Sequence, residues 1–129
     1  MRRHSSTYQL FVTLLCVLAL TQLFAVFFSL YWVYLWLDIP MHALGGAVVA
    51  LGYLSLAERF AFSRAARGLG VTLLATLCIG LGWEAYELAT GAFFQDVAPL
   101  GDTALDVLMD LFGGAAAYAL AEYVRGRES

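Results

Sequence analysis

Seven titratable side chains sit where an apolar chain has least reason to keep them: Asp38 and His42, Glu84 and Glu87, and Asp102, Asp106 and Asp110. Their spacings are i, i+4 in the first group, i, i+3 in the second and i, i+4, i+8 in the third, so on helices each group shares one face. Three helices can then aim carboxylates and an imidazole at one volume. An acid near the centre of a membrane span costs about 2.5 kcal/mol or more, which is why such residues face a bundle interior and carry function or a specific pairing. Six carboxylates cannot all be ionised side by side; protons or a cation must neutralise them. Hard oxygen ligands with one imidazole suit Mg²⁺, Mn²⁺ or Zn²⁺, the oxygen-rich set favouring the first two. All seven are candidate ligands of a divalent metal, and His42, Glu84 and Asp106 are the candidates for catalytic work.

Each has a structural alternative. Asp38 can be the N-cap of a helix with Pro40 in its first turn, and Asp102 or Thr103 can cap another, Thr103-x-x-Asp106 having the form of a capping box. His42 can be an interior histidine donating to a carbonyl. Trp83 and Tyr86 read as interface anchors. His4 reads as a tail residue and Asp96 as a loop residue.

The elements that must position these groups are membrane-spanning helices. Of the 129 residues 62% are hydrophobic and 13% charged, against about 25% charged in a soluble domain. Four apolar runs, 10–37, 41–57, 69–88 and 104–123, each predict a helix in a single all-α domain, an integral membrane four-helix bundle. The first run exceeds a hydrocarbon core of about 30 Å, so it must tilt or end in the interface, and Tyr31, Trp32, Tyr34 and Trp36 favour an interfacial end. Its length also argues against a cleaved signal segment, whose apolar region runs to about 15 residues. Cys16 and Cys78 lie within apolar runs without metal-ligand spacing and read as small buried apolar residues.

Every basic residue is an arginine, at Arg2 and Arg3, at Arg59, Arg64 and Arg67, and at Arg125 and Arg127. Four crossings bring all three groups to one side, and the connections after the first and third runs carry none. The positive-inside rule therefore predicts both termini in the cytoplasm and the acidic groups toward the extracytoplasmic side.

Residues 38–47 overlay residues 106–115, matching Asp38 with Asp106, Met41 with Met109, Gly45 with Gly113, Gly46 with Gly114 and Ala47 with Ala115. Two readings are open: two tandem helix pairs related by an axis along the membrane normal, or two helices that converged on a polar start and a small-residue packing face. Either way Gly45, Gly46, Gly113 and Gly114 are the expected packing glycines.

At Asp38-x-x-x-His42-x-x-Gly45-Gly46, Trp83-Glu84-x-x-Glu87 and Asp102-Thr103-x-x-Asp106 with Gly113-Gly114 following, the chain resembles the VanZ-like and YjdF-like small bacterial membrane proteins. The resemblance implies a multi-pass protein of the bacterial cytoplasmic membrane with a polar intramembrane cluster at Asp38, His42, Glu84, Glu87, Asp102 and Asp106, and supplies no reaction. A diacylglycerol-kinase-like enzyme would have to meet ATP on the cytoplasmic side, away from these acids. A Glu-Glu-x-x-Arg intramembrane protease would need an arginine that Glu84-Ala-Tyr-Glu87 lacks.

The leading expectation is a divalent-metal-dependent hydrolase or transferase acting on a lipid headgroup or lipid-linked phosphate, with His42 as base and Glu84 or Asp106 orienting water. A proton or cation pathway through Glu84, Glu87 and Asp110 is the second, and a non-catalytic scaffold the third. Membrane lipids are the expected partners, and nucleic acid is not.

Overall fold

The computed structural model describes residues 5–91 and 99–128. Arg2, Arg3, His4, Gln95 and Asp96 lie outside them. The elements are α1 (Ser6–Phe27), α2 (Leu30–Val33), a 3₁₀ turn (Leu35–Leu37), α3 (Asp38–Arg59), α4 (Leu69–Thr90) and α5 (Pro99–Glu128). Among the described residues four segments have the length and composition to cross a membrane: Ser6–Phe27, Leu35–Arg59, Leu69–Thr90 and Gly101–Arg127.

The first apolar run is not one helix. Twenty-two residues of α1 already rise about 33 Å, a full hydrocarbon thickness, and the chain then turns at Ser29, which adopts a left-handed φ of 53°. α2 and the 3₁₀ turn fold back over the end of the bundle. Tyr31 is buried there and donates to the side chain of Gln22 on α1. It packs with Ala25 and Met41 in a small apolar cluster, while Trp32, Tyr34 and Trp36 stay exposed.

Two capping expectations are overturned. The cap position of α3 falls on Leu37 and has no side-chain cap, so Asp38 is already helical and its carboxylate is free to point elsewhere. α5 begins at Pro99, the first-turn position where a missing N–H does no harm. Asp102 therefore sits in its first turn, and Thr103-x-x-Asp106 lies within the helix rather than at its start. At the other end of α4, Gly91 takes the left-handed conformation (φ 66°) and returns its N–H to Glu87, a glycine stop.

α3 is the hub of the bundle. It packs most closely on α5 and also on α1, while α4 packs on α5 and α3; α1 and α4 do not pack along each other. Ala50, Leu51 and Leu54 of α3 interlock with Ala117 and Ala121 of α5. Small side chains at that contact allow close helices, as membrane packing requires when lipid is as apolar as leucine. Large apolar side chains such as Leu20, Leu23, Leu74 and Leu88 face outward. Cys16 and Cys78 are also exposed: apolar surroundings in the sequence marked lipid-facing positions here, not buried ones.

At the end away from Asp38, α1, α3 and α5 share a polar contact. Thr7 donates to Glu58 at 2.8 Å, and Arg125 reaches Glu58 at 3.5 Å and also pairs with Glu122. The loop between α3 and α4 is tied by Tyr53, whose hydroxyl donates to the carbonyl of Ala66 at 2.7 Å.

Candidate polar centre

His42, on the second turn of α3, is buried, and four carboxylates from three helices surround its ring. Its Nε2 lies 3.8 Å from Asp38, 3.9 Å from Glu84 and 3.8 Å from Asp106, and its Nδ1 lies 3.4 Å from Asp110. The i, i+4 step on α3 brings Asp38 over His42, and the same step on α5 stacks Asp106 and Asp110 on the facing side. Glu84 comes from α4 and is 7% exposed.

Glycines make this convergence possible. A Cβ on Gly46 would collide with the backbone of Asp110, and one on Gly113 with the backbone of Ala43, so α3 and α5 touch main chain to main chain at the level of the site. A Cβ on Gly80 would strike the Asp110 carboxylate, which lies across α4 at that point. A Cβ on Gly114 would come within 3.1 Å of the Thr76 hydroxyl, and one on Gly45 no nearer than 3.9 Å to an Asp110 oxygen.

The seven sequence-singled residues do not all stand equally close. Asp38, His42 and Asp106 offer ligand atoms within 4.8 Å of one another, and so do His42, Glu84 and Glu87. Asp110 joins through the other ring nitrogen of His42. Asp102 stands apart, half-buried in the first turn of α5 and not among the carboxylates within 4 Å of the imidazole.

All four of these separations exceed a hydrogen bond, whose N···O distance runs to about 3.2 Å. The Oε1 of Glu84 is buried and has no hydrogen-bond partner among the described residues, a costly state for a charged oxygen. Ligand atoms 2.0–2.1 Å from an octahedral ion stand about 3.0 Å apart when adjacent and about 4.2 Å when opposite. Around Nε2 the 3.8–3.9 Å spacings to Asp38, Glu84 and Asp106 fall between those values, so each of the two overlapping sets, Asp38 with His42 and Asp106 or His42 with Glu84 and Glu87, offers ligand atoms that a small divalent cation could bridge.

A cavity of about 420 Å³ adjoins the cluster, bordered by Asp38, His42, Glu87 and Asp110 at its polar side and by Trp83 and Tyr86 near its rim. Gln22 and Thr76, which carried no expected role, also line it, as does Tyr31, expected only as an interfacial aromatic. The signal for Gln22 was present: it is an amide inside an otherwise apolar span. Burial, reinforced by the charge of Asp38, pushes the Tyr31 phenol up to about 12, so its hydroxyl stays a donor to Gln22 at any ordinary pH.

The family described as "Predicted membrane protein (DUF2238)" matches residues 2–127, nearly the whole chain, and the chain belongs to it. No curated protein and no solved structure matches the chain.

Proposed function

We propose that this member of the DUF2238 family of predicted membrane proteins holds a divalent cation between α3, α4 and α5, and uses it to hydrolyse or transfer a lipid headgroup or lipid-linked phosphate. The observation that carries the reading is the buried Glu84 oxygen without a hydrogen-bond partner among the described residues, aimed at His42 from 3.9 Å. A metal would satisfy it. Asp38, Glu84 and Asp106 would supply ligands, with His42 either a further ligand or, its Nε2 left free, the base, and with Glu87 and Asp110 adjacent and Asp102 at the margin. A cation here would neutralise the carboxylates and polarise a phosphoryl oxygen. Where it does not ligate, the imidazole of His42, whose Nδ1 lies 3.4 Å from Asp110, would accept a proton at Nε2, and Glu84 or Asp106 would orient the water.

The finer placement belongs to the same proposal. The arginine distribution supports both termini in the cytoplasm, with the site toward the far side of a bacterial inner membrane. The three motifs support kinship with the VanZ-like and YjdF-like proteins. The tandem-pair reading is supported by the site itself: Asp38 and Asp106 occupy equivalent repeat positions and lie at the same 3.8 Å from His42.

A proton pathway is less well supported. Beyond Asp110, the buried hydroxyls of Thr76 and Thr72 donate to the carbonyls of Thr72 and Gly68 on their own helix, so they are occupied locally rather than strung toward the opposite side.

The deciding experiment is Mn²⁺ binding to the purified protein, followed by electron paramagnetic resonance. Loss of the free Mn²⁺ signal in wild type and its return in Glu84→Gln is the expected result; a wild type that leaves the signal unchanged, and is equally indifferent to Mg²⁺ and Zn²⁺ in thermal unfolding, overturns the reading.

A further inference from the structure

The cavity beside the cluster has a direction. Its walls come from α1, α3 and α4 with Asp110 of α5 behind them, and α1 and α4 do not pack along each other, leaving a gap beside α3 between them. Its volume of about 420 Å³ falls in the range of ligand sites, about 300–1,000 Å³. The lining changes along its length. At one end stand Tyr31, Asp38 and Glu87; further along α3 the walls become Met41, Val48 and Val49, faced by Ile79 of α4. From Asp38 to Val49 a helix rises about 16 Å, close to half of the roughly 30 Å hydrocarbon core. A site polar from Asp38 to His42 and Asp110, and then walled by Val48, Val49 and Ile79 for about the 10 Å that α3 rises from His42 to Val49, has the dimensions of a headgroup with the upper part of a single lipid chain.

We propose that this cavity admits the upper part of one hydrocarbon chain of a membrane lipid between α1 and α4, with the headgroup against Asp38, His42 and Glu87 and the chain running as far as Val49. The proposal rests on the headgroup reading of the cluster and adds how the substrate is held. Moving a chain from bilayer to apolar cavity gains little free energy, since lipid tails are as apolar as the walls. Selectivity therefore falls on the headgroup, and the chain serves to bring the scissile group to the imidazole in one orientation. Gly45 keeps that passage wide: nothing but an Asp110 oxygen at 3.9 Å approaches the place its side chain would occupy.

The test uses the full chain in lipid nanodiscs containing a trace of phosphatidic acid with a diazirine in the upper part of one acyl chain, or the matching diacylglycerol. After irradiation the labelled residues are mapped, and Mn²⁺ binding is measured on the same samples. Label on Val48 and Thr76, both buried in the bundle, is expected from both probes. Val49→Trp should abolish it by filling the cavity about 10 Å from His42, while Val49→Ala should keep it and both variants should bind Mn²⁺. Interior label without Mn²⁺ binding upholds the chain site and sinks the metal reading. Label confined to outward positions such as Leu20, Leu74 and Leu88 overturns the proposal, as does protection of the gap by a second copy of the chain, seen as crosslinks between copies.

Discussion

The α-carbon of Gly46 rests directly against the backbone carbonyl of Asp110, so the helix carrying the histidine and the helix carrying two of its acids are joined where the site is built. The matching contact of Gly113 with the backbone of Ala43 closes the same crossing from the other side. Backbone cannot move aside as a flexible side chain can. Gly46→Ala and Gly113→Ala should each cost about 1–3 kcal/mol through overpacking and spread the acids away from His42. Gly45→Ala, which meets no atom nearer than 3.9 Å, should be neutral or stabilising by up to about 1 kcal/mol through the glycine's lost backbone freedom. Thermal unfolding of the three variants in one detergent checks the split; equal effects at Gly45 and Gly46 would contradict it.

Cation binding should appear as stability. A ligand at one hundred times its dissociation constant adds about 2.7 kcal/mol, readable as a rise in melting temperature with Mn²⁺, Mg²⁺ or Zn²⁺. Asp106→Asn removes one hard ligand and one negative charge from a crowded site. Without metal that variant should unfold at the same or a higher temperature than wild type, because like-charge repulsion has been relieved. With metal it should show little or none of the rise. Asp106 lies inside α5 and caps nothing, so an asparagine there leaves the helix start intact. An undiminished metal response in Asp106→Asn would remove it from the ligand set.

Thr7 ties the start of α1 to Glu58 of α3 at 2.8 Å, and Arg125 holds the same carboxylate from α5. Interhelical hydrogen bonds in membranes average about 0.6 kcal/mol and reach about 1.7 kcal/mol. Thr7→Val should fall within that range. Arg125→Met should cost more, because it leaves the half-buried Glu58 carboxylate without its cation. Denaturant titration of the single and double variants gives the coupling directly; strict additivity would mean that Thr7 and Arg125 act independently of Glu58.

Sidedness can be read with single cysteines once the exposed Cys16 and Cys78 have been replaced by alanine. A membrane-impermeant thiol reagent should reach Ser63→Cys, in the arginine-bearing loop, only from the cytoplasmic face. Thr90→Cys, at the end of α4, should react only from the opposite face. Reaction of Thr90→Cys from the cytoplasm would invert the bundle and place the acidic centre on the ATP side.

The membrane-spanning character of this chain and the grouping of its acids were legible in the sequence because both are local properties. Hydropathy sums over a window, and i, i+4 spacing gives Asp38 and His42, or Asp106 and Asp110, a shared face whatever the helices later pack against. The relations across helices were not local. Gly45 and Gly46 look alike in sequence, yet only the rotation of α3 against α5 makes one a contact and leaves the other open to a cavity. Asp102 follows the same spacing as its neighbours but sits a turn too far along α5 to reach the imidazole. The long first run carries no proline or glycine to mark its break; a full membrane thickness of helix and the docking of Tyr31 on Gln22 turn the chain at Ser29. The gap between α1 and α4 exists because α1 packs on α3 and α4 packs on α5 and α3 rather than on α1, a fact about helix placement that no single segment encodes.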